Sequence, residues 1–177
     1  LIQGKDAGDV PSCPLRNPCH NSLGSRFMAG LFFEEFRVGH EFVHEIRRTV
    51  TDMDNMMFCS LTYNPAAIHI DHEYASRTEY GKPLMNSIFT LGLVIGLSVQ
   101  DTTLGTTIAN LGMTDTTFPK PVFAGDTIRA VTKVLELRDS KSRPTQGIVT
   151  FEHLGLNQRD DIICRTVRGA LMMRKSL

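Results

Sequence analysis

The fold is decided by residues 88–97, Ile88-Phe89-Thr90-Leu91-Gly92-Leu93-Val94-Ile95-Gly96-Leu97, a stretch that contains no charged residue. Written as a helix, this stretch is apolar on every side, and a helix without a polar stripe is enclosed on most sides by other elements. The longer apolar run over residues 84–99 is broken by polar and glycine residues and is shorter than the roughly 20 residues that span a bilayer. The stretch therefore predicts the central helix of a globular domain.

The segments on either side of this helix predict an antiparallel sheet. Residues 40–50 are strand-like, and after Asp101 four further strand-like segments are separated by turn-forming residues, at about 105–118, 127–138, 146–157 and 162–173. Thr51 and Asp54 predict a capped short helix, and Asp71 predicts the N-cap of a second one over residues 72–78. One strand, short helices, a central helix and four long strands predict an α+β domain whose sheet wraps around that helix.

The chain is long enough for one domain with a real core and too short for two ordinary ones. Residues 1–30 combine glycine, proline and polar residues without a period of 2 or 3.6, which predicts a flexible N-terminal arm. We therefore expect an arm over residues 1–30 and a single domain over residues 31–177.

Charge and cysteine usage narrow the class of function. The 19 Lys and Arg residues balance the 19 Asp and Glu residues, which argues against a nucleic-acid partner. Cys13 and Cys19, with His20 beside them, have a spacing that fits a structural zinc site poorly, and the four cysteines follow no disulfide pattern. We expect free thiols in a reducing cytoplasm, no metal site and no membrane partner.

Several stretches taken in order resemble one family. These are Asn64 to Asp71, Gly81-Lys82-Pro83, the apolar helix, and Pro121-Val122-Phe123-Ala124-Gly125-Asp126-Thr127-Ile128. Over about residues 31–174 the sequence is similar to the MaoC-type dehydratases, the (R)-specific enoyl-CoA hydratase branch of the hot-dog fold. The resemblance implies a hot-dog fold and a homodimer or dimer-based oligomer with active sites near subunit contacts. It also implies an acyl-CoA thioester substrate and no cofactor beyond the coenzyme A of that substrate.

The chemistry of this family explains which groups its site needs. Its members hydrate enoyl-CoA thioesters reversibly, and their motif Asp-x-Asn-Pro-x-His places a carboxylate and a histidine beside a water. Addition of water requires a base to deprotonate the water at Cβ and an acid to protonate Cα. The thioester oxygen gains negative charge, which N–H donors at the N-terminus of the central helix stabilise.

Transferred residue by residue, the resemblance assigns His69 as the catalytic acid and base. Asn86-Ser87-Ile88 stands where the family has His-Gly-Met, so these three residues are the expected substrate-binding group. The backbone N–H of Ser87 is the expected oxyanion donor, and that of Ile88 is the alternative.

The family aspartate has no counterpart. An alignment without a gap places Asn64 at its position, and an alignment with two extra residues before His69 places Thr62 there. An amide can orient a water but cannot take its proton, so Asn64 is assigned as the residue that positions the water. Asp54, Asp71 and Asp115 are the other candidate carboxylates that the fold could bring near His69, and for Asp71 a helix-cap role is favoured.

Three functions follow from the resemblance. The first is a hydro-lyase acting on an enoyl-CoA thioester, with short branched dicarboxylic substrates such as mesaconyl-CoA favoured by the atypical loop and by residues 82–87. The second is a hot-dog thioesterase, in which water attacks the carbonyl carbon. The third is a non-catalytic acyl-CoA-binding subunit that has lost the aspartate.

Overall fold

The computed structural model of the protein describes residues 30–175. Its elements in chain order are β1 (Glu41–Thr49), α1 (Asp52–Leu61), α2 (Ala67–Ile70), α3 (His72–Ser76), α4 (Ser87–Thr102), β2 (Thr107–Thr117), β3 (Thr127–Asp139), β4 (Gln146–Leu156) and β5 (Ile162–Met173). The predicted order of strand, short helices, central helix and four strands is confirmed. The predicted arm and the Cys13, Cys19 and His20 group lie outside the described residues, apart from Gly30 at the end of the arm.

The five strands form one antiparallel sheet in the order β1-β3-β4-β5-β2, so β1 and β2 are its edges. Helix α4 packs against one face of this sheet. A Cβ atom at Gly155 would lie 2.4 Å from Cγ2 of Val94, so only glycine at this point of β4 allows the helix to approach so closely. The α+β arrangement of a sheet around a central helix is confirmed.

Helix α4 is longer than the apolar stretch that predicts it. Its C-terminal turns contain the buried residues Ser98 and Thr102, whose hydroxyl groups donate to the carbonyl oxygens of Ile95 (2.7 Å) and Ser98 (2.6 Å). Hydrogen bonds to the helix's own carbonyls let these hydroxyls be buried without another partner. A stripe along α4 that includes Ile88, Gly92 and Gly96 is exposed, so the described residues enclose the helix on its other sides only.

The buried apolar residues form two clusters. The first surrounds the N-terminal half of α4 and comprises Val50, Met85, Leu91, Val94, Leu97, Val122, Ile128, Ala130, Ile163 and Cys164. The second lies farther along the strands and comprises Phe36, Val134, Val149, Phe151, Ala170 and Met172. Because side chains alternate along a strand, Thr132 stands between Ala130 and Val134 on the same face of β3, at the boundary of the two clusters.

A chain of hydrogen-bonded polar groups crosses the sheet at this boundary. His44 Nδ1 lies 2.7 Å from Asp101 Oδ2, His44 Nε2 lies 2.9 Å from Thr132 Oγ1, and Thr132 Oγ1 lies 2.9 Å from His153 Nδ1. A carboxylate only accepts, so Nδ1 of His44 carries a proton. We call these four residues the polar row. Burial, together with the charge of Arg168 and the neighbouring His44, lowers the pKa of His153 to about 3, so this ring is neutral.

Candidate active site

The loop that carries His69 starts with a Schellman motif at the end of α1. Tyr63 takes the left-handed conformation with φ 58°, its N–H donates to the carbonyl of Ser60 (3.4 Å), and the N–H of Asn64 donates to that of Cys59 (2.9 Å). The side-chain oxygen of Asn64 then accepts the N–H of Ala66 (3.0 Å). The sharp reversal delivers the chain into α2, the short helix that contains His69.

The imidazole of His69 is held by the backbone of the segment that leads into α4. Its Nδ1 lies 2.7 Å from the carbonyl oxygen of Leu84, and the N–H of Leu84 donates to the carbonyl of Ile68 (3.0 Å). Since a carbonyl oxygen can only accept, Nδ1 carries the proton, and Nε2 of the neutral ring keeps its lone pair. The half-buried His69 is therefore in the tautomer that a general base requires.

Asn55 was not identified from the sequence, although it connects the elements of the site. Its side chain contacts the carbonyls of His69 and Leu84 and the N–H of Asn86, and it is 1% exposed. The sequence signal is weak: Asn55 is a polar residue one helical turn before Cys59, the other buried residue of α1. A polar side chain on the buried face of an amphipathic helix is expected to have specific partners.

The three residues at the start of α4 have different roles in its hydrogen bonding. Asn86 is the N-cap, and its Oδ1 accepts the N–H groups of Ile88 (2.9 Å) and Phe89 (3.4 Å). The N–H of Ile88 is thus already bonded, whereas the N–H of Ser87 has no acceptor within residues 30–175. Ser87 is an exposed residue, which makes this N–H a candidate donor to a ligand.

A pocket of about 200 Å³ opens at the same end of α4. Its lining is largely apolar and comprises Tyr80, Leu84, Met85, Ser87, Thr90, Phe118, Pro119, Lys120, Pro121, Val122 and Ile163. Lys120 is the charged side chain of this lining. His69 and Asn64 do not line the pocket; Leu84 connects the two, because its carbonyl holds the His69 ring and the residue lines the pocket.

The other residues that could replace the family aspartate either have structural hydrogen-bond partners or lie on another element. Asp71 caps α3 by accepting the N–H of Tyr74 (2.9 Å), as predicted. Thr62 donates its hydroxyl to the carbonyl of Phe58 (2.7 Å), and Asp115 is on β2. Burial would raise the pKa of Asp54, but hydrogen bonds from Thr51 and the guanidinium of Arg48 outweigh it and hold that pKa below its usual value.

The described residues contain neither a cluster of metal ligands nor a helix that could cross a membrane. Within residues 30–175, no group of three or more His, Cys, Asp or Glu side chains is arranged to hold a metal ion. In the same part of the chain, no helix has both the length and the apolar character needed to cross a bilayer.

Comparison with known proteins identifies the family. The chain belongs to the MaoC-like domain family, whose model, described as "MaoC like domain", matches residues 34–155. The predicted family is therefore confirmed. A Mycobacterium tuberculosis protein with a double hot-dog fold is 20% identical and superposes with a TM-score of 0.75 over 83% of this chain and 45% of that one. This likeness confirms the predicted hot-dog fold.

Two relatives of known activity are similar over most of this chain. Beta-methylmalyl-CoA dehydratase from Chloroflexus aurantiacus is 32% identical over 153 residues, which are 86% of this chain and 43% of that protein. Mesaconyl-CoA hydratase from Cereibacter sphaeroides is 31% identical over 147 residues, which are 83% of this chain and 42% of that protein. The chain thus spans less than half the length of these relatives.

Proposed function

We propose that this domain catalyses the reversible addition of water to an enoyl-CoA thioester, and that the acyl group is a short branched dicarboxylic acid such as mesaconate. The observation that carries the proposal is that Leu84, whose carbonyl holds Nδ1 of His69, lines the same largely apolar pocket as Ser87, whose N–H has no acceptor within residues 30–175. Relatives named for methylmalyl-CoA and mesaconyl-CoA support the substrate class.

In the proposed reaction, Nε2 of His69 takes a proton from water as the water oxygen bonds to Cβ of the substrate. The electrons of the C=C bond move onto the thioester oxygen, where the N–H of Ser87 stabilises the negative charge. His69 then returns the proton to Cα, so one water is added and no cofactor is needed. Asn64 would donate from its side-chain nitrogen to the water, because its side-chain oxygen already accepts the N–H of Ala66.

Two features support a dicarboxylic acyl group. Lys120 is the cation of the pocket lining, and a carboxylate at the far end of the acyl chain would offset its charge. In the loop before His69, Asn64 stands where the family has an aspartate. A neutral amide would repel an anionic substrate less than that carboxylate would. Crotonyl-CoA has no second carboxylate and so benefits from neither feature. We expect it to react far more slowly than mesaconyl-CoA.

We also propose that two copies associate through the outer edge of β2. This edge has no strand beside it within residues 30–175, and it presents Ile108, Leu111 and Met113 with exposures of 36, 51 and 38%. An exposed apolar edge strand is a template for pairing with another strand. Association through this edge would agree with active sites near subunit contacts. We propose the cytoplasm as the compartment, in keeping with the free, buried thiols of Cys59 and Cys164.

One assay separates the proposed activity from the two alternatives. Purified protein is given mesaconyl-CoA, crotonyl-CoA or itaconyl-CoA, and enoyl absorbance and free thiol are followed together. We expect loss of enoyl absorbance without thiol release, and fastest with a dicarboxylic substrate. Thiol release would identify a thioesterase, and binding of the thioesters without turnover would identify an acyl-CoA-binding subunit. Equal rates with mesaconyl-CoA and crotonyl-CoA would refute the dicarboxylic preference.

A further inference from the structure

Asn55, on α1, hydrogen-bonds three backbone groups that lie outside this helix, in the two segments that contain His69 and Leu84. Its Nδ2 donates to the carbonyl oxygens of His69 (2.7 Å) and Leu84 (3.0 Å), and its Oδ1 accepts the N–H of Asn86 (2.9 Å). A side-chain amide offers two N–H donors and one carbonyl acceptor. All three contacts match these groups, so both N–H groups and the carbonyl of the amide are hydrogen-bonded.

The partners of Asn55 also fix its orientation. If the amide were reversed, its oxygen would face the two carbonyl oxygens of His69 and Leu84, and its nitrogen would face the N–H of Asn86. The carbonyl of Leu84 uses both lone pairs, one for Nδ2 of Asn55 and one for Nδ1 of His69. The position of the catalytic ring is thereby tied to the amide of Asn55 through a single shared oxygen.

We propose that Asn55 is a positioning residue, which sets the tautomer and orientation of His69 and holds this ring in register with the oxyanion donor at Ser87. The inference rests on the proposed hydratase function. The N–H groups of the amide hold the carbonyls of His69 and Leu84, and the Leu84 carbonyl is the acceptor for the His69 ring. The other end of the amide fixes Asn86, whose side chain caps α4 and whose neighbour is Ser87. Asn55 itself touches neither substrate nor reacting atom.

Two substitutions separate the functions of this amide. Asn55→Ala removes all three hydrogen bonds. Asn55→Asp keeps an oxygen for the N–H of Asn86 but, when ionised, turns a negative charge toward the carbonyls of His69 and Leu84. Val134→Ala is the control for lost stability alone, because Val134 is fully buried in the second apolar cluster.

The first measurement needs no enzymatic activity. Nitrogen-15 spectra of the imidazole report which ring nitrogen of His69 carries the proton. We expect protonation at Nδ1 in the wild type and in Val134→Ala, and a mixture with protonation at Nε2 in both Asn55 variants. A wild-type ring protonated at Nε2, or an unchanged tautomer in either folded Asn55 variant, overturns the proposal. Where neither variant folds, protonation of the wild-type ring at Nε2 still overturns the proposal.

The second measurement is kinetic, with mesaconyl-CoA as substrate. We expect kcat to fall by about 10²-fold in both Asn55 variants while KM changes by less than about threefold, because misplacing a catalytic group by about 1 Å costs a rate of this order. Val134→Ala should keep the wild-type kcat below its melting temperature. Unchanged kcat in the Asn55 variants overturns the proposal. A wild type without hydration activity refutes the proposed function, and the tautomer spectra then still decide the role of Asn55.

Discussion

The ring of His69 is held to the carbonyl oxygen of Leu84 by a hydrogen bond of 2.7 Å. Because this bond leaves Nε2 as the basic atom, we expect His69→Ala to lower kcat for enoyl-CoA hydration by about 10²–10⁴-fold. Steady-state rates measured by enoyl absorbance check this. His72→Ala is the matched control, since His72 lies three residues along the chain with a side chain that is 66% exposed. Equal losses in the two variants would contradict a catalytic role for His69.

The N–H of Ser87 can be removed without disturbing the helix. Ser87 is the first residue of α4, a position where proline is well tolerated, and Asn86 before it has the extended conformation that proline prefers. We expect Ser87→Pro to lower kcat by about 10²–10³-fold, as the loss of one oxyanion donor does. Ser87→Ala keeps the N–H and should remain close to the wild type. If both variants are equally active, the oxyanion is stabilised elsewhere.

Lys120 is expected to select the dicarboxylic substrate. Lys120→Met removes the charge in the pocket lining, so the rate ratio of mesaconyl-CoA to crotonyl-CoA, measured as kcat/KM, should fall by about tenfold or more. Lys133→Met, at an exposed position of β3, is the control and should leave the ratio unchanged. A ratio that does not move in Lys120→Met would show that the far carboxylate is recognised by another group.

Association through β2 predicts an asymmetry between the two edges of the sheet. Leu111→Arg places a charge on the β2 edge and should convert a dimer into a monomer in light scattering coupled to size exclusion. Val43→Arg makes the same change on β1, the opposite edge, where Val43 is 65% exposed. This control should remain dimeric. A monomeric wild type, or dissociation only in Val43→Arg, would be inconsistent with the proposed interface.

His153 should make the stability of the fold depend on pH. Its pKa is lowered from 6.5 to about 3 in the folded protein, so the unfolded chain binds the extra proton. The contribution of the neutral His153 ring to the free energy of unfolding is fully present above about pH 6.5. It is lost as the pH falls toward 3, by about 1.4 kcal/mol per pH unit between these limits. Between pH 7 and pH 5, the free energy of unfolding should therefore fall by about 2 kcal/mol more in the wild type than in His153→Gln.

Urea denaturation at the two pH values measures this difference. Carboxylates titrate in both proteins and cancel in the comparison. His72→Gln, which changes an exposed ring, should have the pH dependence of the wild type. Parallel curves for the wild type and His153→Gln would mean that the buried ring does not control this transition.

Short-range features of the fold could be predicted from the sequence. Thr51 and Asp54 form the expected capping box of α1, and Asp71 caps α3, because in each case the partners are three residues apart. The apolar stretch at 88–97 identifies the central helix. The family resemblance brought attention to His69 and to Ser87, and their roles remain predictions.

Long-range relationships could not be predicted in the same way. Asn55 meets Leu84 and Asn86 across 29 and 31 positions, and His44 meets Thr132 across 88. A single sequence shows a polar residue among apolar ones but not which partner satisfies it. The sequence also does not show that the side chain of Asn86 accepts the N–H of Ile88, because this depends on the conformation of the cap.

The polar row has a consequence for how the strands find their alignment. Aliphatic side chains tolerate exchange, so a shift of β4 by two residues along β3 would still bury apolar groups on the same face. Such a shift would place Phe151 or Gly155 opposite Thr132 instead of His153. The hydrogen bond between the buried Thr132 hydroxyl and the buried His153 ring would then be lost, leaving Nδ1 of His153 without this partner, at a cost of about 1–3 kcal/mol. The same four residues that divide the core therefore distinguish the native strand register from its nearest competitor.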